Sequence, residues 1–89
     1  MDKIDVKKIS GNVFDVTVHS QTTTNHTVSL PEMYYRKLTD EKIDPETLIK
    51  KSFEFLLERE SNTSILKNFE LGLIARYFPE YERTIKNMI

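Results

Sequence analysis

A histidine stands on either side of a threonine-rich run at residues 21–25: His19 before it and His26 just after it. Imidazole is a common metal ligand and proton carrier. Two histidines without a cysteine or a matching carboxylate pair still make a poor metal site, because zinc takes three or four protein ligands. Both are read as ordinary residues beside a loop, and no metal or cofactor is expected. Asn25, Thr27 and Ser29 carry amide and hydroxyl groups at every second position of the following segment. On the outward face of a strand such groups can hydrogen-bond base edges, and equally they can face water. Lys50 and Lys51 lie near the start of a helix, where they could meet phosphate, although Asp44 and Glu46 occupy the same end and oppose an anion.

Catalytic patterns are scarce. The only glycines are Gly11 and Gly72, so there is no glycine-rich phosphate loop, and the absence of cysteine removes thiol chemistry and zinc-ligand spacing. The carboxylates are spread along helices and turns, with none paired in an apolar surround as a tuned acid and base would be. The expectation is a protein that is not an enzyme.

The elements that must position these residues follow from hydrophobic spacing. Ile4 and Val6, then Phe14, Val16 and Val18, then Val28 and Leu30 alternate with polar residues at period two, the mark of half-buried strands. Ser10-Gly11-Asn12 and residues 21–25 punctuate them. An antiparallel three-stranded meander results. Pairing Val6 with Val16 and Ile4 with Val18 keeps the apolar side chains on one face and sets Lys7 opposite Asp15. For the second hairpin the same rule pairs Val18 with Val28 and Val16 with Leu30.

From Pro31 the spacing becomes helical. Tyr34 and Leu38 share a stripe over residues 31–38, with Tyr35 beside them. Asp44, Pro45 and Glu46 form a strong helix start, and Ile49, Phe53, Leu56 and Leu57 give the stripe of a longer helix. Phe55 lies off that stripe, so later helices or a second subunit must cover another face. Lysines near the start and glutamates near the end run against the helix dipole, which leaves burial to hold this helix. Residues 64–69 read as a short helix. Leu71, Ile74, Ala75 and Phe78 then follow at i, i+3, i+4, i+7 and end at Pro79, and Tyr81, Ile85 and Met88 make a last stripe. The fold class is α+β: a three-stranded antiparallel β-meander over residues 1–30, followed by three to five α-helices over 31–89 packed on one face, as a single domain.

Residues 25–60 resemble the ribbon-helix-helix family of repressors and antitoxins in their strand, short helix, turn and longer helix. The resemblance implies a homodimer in which a strand from each subunit pairs into a ribbon for the major groove. Asn25, Thr27 and Ser29 would be its outward residues, and Leu48, Ile49, Phe53 and Leu56 its dimer core. The whole chain, with Ser-Phe-Glu-Phe-Leu-Leu-Glu-Arg-Glu and Tyr-Phe-Pro-Glu-Tyr-Glu, also resembles small prokaryotic proteins of uncharacterised function, which carries no activity over to it.

Composition bounds these readings. With 89 residues the chain supports one small core, and 38% hydrophobic content leaves stability marginal. Thirteen basic against fourteen acidic residues give a net charge of −1, whereas DNA binders usually carry a basic surplus. No apolar run approaches the ~20 residues that span a bilayer, and residues 1–5 are not a secretory signal, so a soluble cytoplasmic protein is expected. Two functions are carried forward. One is a homodimeric DNA-binding regulator or antitoxin using Asn25, Thr27, Ser29, Lys50 and Lys51. The other is an adaptor that binds a protein through Phe55, Tyr77, Phe78, Tyr81, Ile85 and Met88. A homodimer is expected through Phe55 or the helix at 81–89.

Overall fold

A computed structural model describes residues 3–89. The period-two segments become β1 (Lys3–Ser10), β2 (Val13–His19) and β3 (Thr23–Ser29). The helical segments become α1 (Glu32–Thr39), α2 (Pro45–Leu57), α3 (Leu73–Tyr77) and α4 (Tyr81–Asn87). The α+β class therefore holds, but the sheet has a fourth strand, β4 (Asn68–Glu70), and its order is β1-β2-β3-β4.

That strand corrects the helix expected over residues 64–69. The chain there makes one 3-10 turn, Asn62–Ser64, and then runs extended beside β3, in parallel, with Val28 opposite Phe69. Backbone bonds from the Thr27 amide to the Lys67 carbonyl (2.7 Å) and from the Leu71 amide to the Ser29 carbonyl (2.9 Å) close the ladder. Ile65 and Phe69 are four apart, which suits a helix, but Phe69 gains more by lying on the sheet against Phe53, ring centroids 6.1 Å apart. The meander is thus antiparallel over three strands and mixed over four.

Strand β1 takes the expected register, Ile4 opposite Val18, Val6 opposite Val16 and Lys7 opposite Asp15. Ile9 is an extra residue between the Lys8 and Ser10 pairings, and this bulge leaves its side chain 57% exposed. The second hairpin is shifted from the expected register. Val16 faces His26, Val18 faces Thr24 and Phe14 faces Val28. The connection shortens to Ser20-Gln21-Thr22, and the face assignment survives because the slip is an even number of residues. Matching apolar to apolar failed here because His26 is itself an inward residue, 1% exposed.

The inner face, with Phe14, Val16, Val18, Val28 and Phe69, carries one contiguous cluster of buried residues that continues into Leu48, Ile49 and Phe53 of α2. The second apolar face of α2 is covered within the chain. Phe55 is buried beneath α3 and α4, edge-on to Phe78 at 5.8 Å and to Tyr81 at 5.3 Å. Tyr81 itself is buried, and its hydroxyl meets the Ser52 hydroxyl at 2.6 Å, while Ser52 donates to the Leu48 carbonyl. Burial pushes the Tyr81 phenol well above its ordinary value. Tyr34 ties α1 to α4 by donating to Glu82 at 2.9 Å; burial first, and then that bond, raises its phenol too.

Both ends of α2 are explicit. The Asp44 carboxylate accepts the Thr47 amide at 2.8 Å, with Pro45 at the first helical position. At the far end Arg59 donates to the Phe55 carbonyl (3.0 Å) and to Glu80 (3.2 Å), and its guanidinium lies 3.6 Å from the centroid of the Phe55 ring. One cation thus supplies the charge that the last turn lacks and fastens α2 to the start of α4.

The cap has a pH signature. The Thr47 hydrogen bonds hold the Asp44 carboxyl below its ordinary value, and the Glu80 carboxyl is held low by its own backbone amide and by Arg59. A depressed carboxyl contributes stability that is present above its unfolded pKa and lost as pH falls through the folded one. Asp44→Ala should therefore cost about 1 kcal/mol near neutrality, with the gap to the wild type closing below about pH 4. Thermal melts of both proteins across that range measure it; a gap that persists undiminished at acid pH would contradict the capping role.

Candidate partner-binding groove

The segment that departs from helix also builds a concave surface. Asn62, 5% exposed, donates to the Thr22 carbonyl (2.6 Å) and to the Thr24 hydroxyl (3.0 Å), which pins the 3-10 turn to the loop before β3. His26 then reaches the next stretch, with Nδ1 2.7 Å from the Leu66 carbonyl and Nε2 2.9 Å from the Thr24 hydroxyl. A carbonyl can only accept, so Nδ1 carries the hydrogen; in the neutral ring Nε2 then accepts from Thr24. With its backbone held inward, Leu66 turns its side chain out, 49% exposed. Ile65 and Phe69, on either side, point into the core.

Between this segment and α3 lies a groove of about 370 Å³. Leu56, Ile65, Phe69 and Ile74 form its buried floor, and Leu66, Leu73, Tyr77 and Phe78 stand along its walls. Glu60 and Ser64 are its polar residues. Tyr77 is 67% exposed, a large apolar ring left in water at the rim. Apolar walls with a few polar groups suit the uptake of apolar side chains. Nothing in the lining pairs a nucleophile with a base.

The residues expected to meet DNA do not share one surface. Asn25, Thr27 and Ser29 lie on the outer face of the sheet, where Asn25 donates to the Thr17 hydroxyl at 3.0 Å. Lys50 and Lys51 lie on α2, in the helical layer packed against the other face. β3 is hydrogen-bonded to β2 along its length and to β4 over Thr27–Ser29, so two of its three candidate base-reading positions lie where both edges are already taken. The outer-face positions include Lys3, Lys7 and the acids Asp5, Asp15 and Glu70, a mixed field with no basic stripe.

The residues expected to meet a partner also divide. Tyr77 and Phe78 line the groove. Phe55, Tyr81 and Ile85 are at most 1% exposed, enclosed by their own chain, so these three side chains belong to an intramolecular core and not to a contact surface. Met88 is 39% exposed and lies outside the groove lining. His19 and His26 do point to opposite faces. His19 is on the outer face, 2.9 Å from Asp5, while His26 is a core residue rather than an ordinary loop neighbour. Among the described residues no group of three or more histidine, cysteine or acidic side chains is placed to share a metal ion, and no helix is long and apolar enough to cross a membrane.

Leu66 and Leu73 are not marked for binding by the sequence, and Leu56 enters there only as a dimer-core residue of the ribbon-helix-helix resemblance. One signal was available for Leu66: adjacent Ile65 and Leu66 cannot both point inward from an extended segment. Comparison with family models, curated proteins and solved structures finds no match.

Proposed function

We propose that this chain is a non-enzymatic protein-binding module, an adaptor whose groove between residues 64–66 and α3 receives an apolar segment of a partner. The observation that carries the reading is the groove itself, apolar in floor and walls, with Leu66 and Tyr77 exposed along it. Large apolar side chains left in water beside a concavity are the usual anchor points of an interface, and aromatic residues dominate the energy of such sites. The regulator reading draws less support, because its amide and hydroxyl residues and its lysines lie on different layers.

Selection from a random peptide library tests the function. The expected ligands carry two or more large apolar residues, compete with one another, and perturb the amide resonances of Leu66, Leu73 and Tyr77. Leu66→Asp should weaken them by tenfold or more, about 1.4 kcal/mol. Leu73→Trp, which fills the groove without adding charge, should do the same. Peptides that bind elsewhere, or DNA binding at low salt that falls steeply as salt rises, would replace the adaptor with another function.

A further inference from the structure

Strand β1 is an edge of the sheet, and among the described residues nothing pairs with its outer side. It runs for eight residues, long for an edge left open, and an unpaired row of backbone amides and carbonyls is a template for another strand. β4 ends the opposite side with only three residues. The side chains of β1 decide what can pair with it. Lys3, Asp5 and Lys7 point to the outer face, and Ile4, Val6 and Lys8 to the inner one.

We infer that a second copy of this chain adds to the edge of β1, antiparallel, with Val6 on the twofold axis. An antiparallel pair related by a twofold axis normal to the sheet must place residues of the same face opposite each other, which admits registers centred on one residue and excludes those centred between two. Centring on Asp5 sets it against the partner's Asp5 and sets Lys3 against the partner's Lys7. Centring on Lys7 stacks lysine on lysine. Centring on Ile4 is compatible in charge but pairs only residues 3–5 within β1, fewer than a register centred on Val6.

Centring on Val6 pairs residues 4–8 of each strand, with Ile4 opposite the stem of the partner's Lys8 on the inner face and the remaining pairs complementary. On the outer face Asp5 meets the partner's Lys7, and Lys7 meets the partner's Asp5. Because Lys7 already stands opposite Asp15, the row across the seam alternates in sign. On the inner face Val16 and Val6 continue into the partner's Val6 and the partner's Val16, which covers the half-buried Val6. The bulge at Ile9 ends the pairing, and joining the two β1 edges uses them up, so the assembly closes as a dimer. Phe69 of β4 lies in the groove floor, at the other edge of the sheet from β1, so the dimer displays its two grooves at opposite ends of one continuous sheet.

Sedimentation equilibrium of the full chain tests the seam. The expected mass at tens of micromolar is twice the 10.5 kDa of the single chain. Asp5→Lys and Lys7→Asp, each folded by circular dichroism, should weaken association by about tenfold or more, and the double exchange should restore it. The chain has no cysteine, so Val6→Cys gives an independent readout. Directly opposed strand positions lie within disulfide reach, and mild oxidation should link it into a covalent dimer while Asp5→Cys stays unlinked. A mass of one chain at every concentration overturns the proposal, and so does a dimer that Val6→Cys fails to link.

Discussion

Replacing Phe55 by alanine should remove a large share of the stability of this protein. The ring is 1% exposed and is held by Phe78 and Tyr81 edge-on and by the Arg59 guanidinium over its face. Truncating a buried phenylalanine costs about 3–5 kcal/mol, the lost transfer energy plus that of the cavity left behind. Domains hold about 0.05–0.15 kcal/mol per residue, about 4–13 kcal/mol for a chain of 89 residues, so the loss is a large share of the total. Urea unfolding followed by circular dichroism measures it. The shift in midpoint should be the same in dilute and concentrated protein, because Phe55 is covered by its own chain. A shift that grows on dilution would return Phe55 to an interface, and a shift worth less than about 1 kcal/mol would mean that the C-terminal helices do not close over it.

The second large effect is expected at His26. Its ring is buried, lies 5.4 Å from that of Phe53, and has both nitrogens bonded, to the Leu66 carbonyl and the Thr24 hydroxyl. His26→Leu keeps most of the volume but leaves the Leu66 carbonyl without its donor and the Thr24 hydroxyl with only its bond from Asn62, and a buried polar group left without a partner costs about 1–3 kcal/mol. The expected total is about 2–4 kcal/mol once partial hydration of the Leu66 carbonyl is allowed for. The location of the damage is the sharper test. Amide exchange should quicken at residues 62–68 more than in β1 and β2, and peptide binding at the groove should fall with it, since His26 holds one of its walls. Uniform loss of protection, with the groove still able to bind, would show that the ring acts only by filling space.

The local devices of this fold are written in the sequence because each rests on residues close together in the chain. Asp44-Pro45 starts α2 through a bond only three residues long. The β1–β2 register follows from Ile4, Val6, Val16 and Val18 and a tight turn at Gly11, whose φ of +37° suits glycine. Phe55 outside its stripe announced a second covered face before anything showed what covers it. The groove was legible only in part. Tyr77 and Phe78 stood out by type, but Leu66 and Leu73 came to line the groove only through long-range pairing.

Tertiary structure decided what local spacing leaves degenerate. Residues 65–69 satisfy a helical period, and only the open edge of β3, some forty residues earlier, draws Phe69 into a strand. The register of β2 with β3 turned on His26, which reads as polar until Leu66 and Thr24 satisfy both its nitrogens. The division between core and surface at the C-terminus, with Tyr81 and Ile85 inside and Tyr77 outside, depends on how α4 folds back on α2. Hydrophobic spacing says which residues seek burial. It does not say which partner buries them, because that choice compares surfaces far apart in the chain whose fit exists only once the fold is assembled.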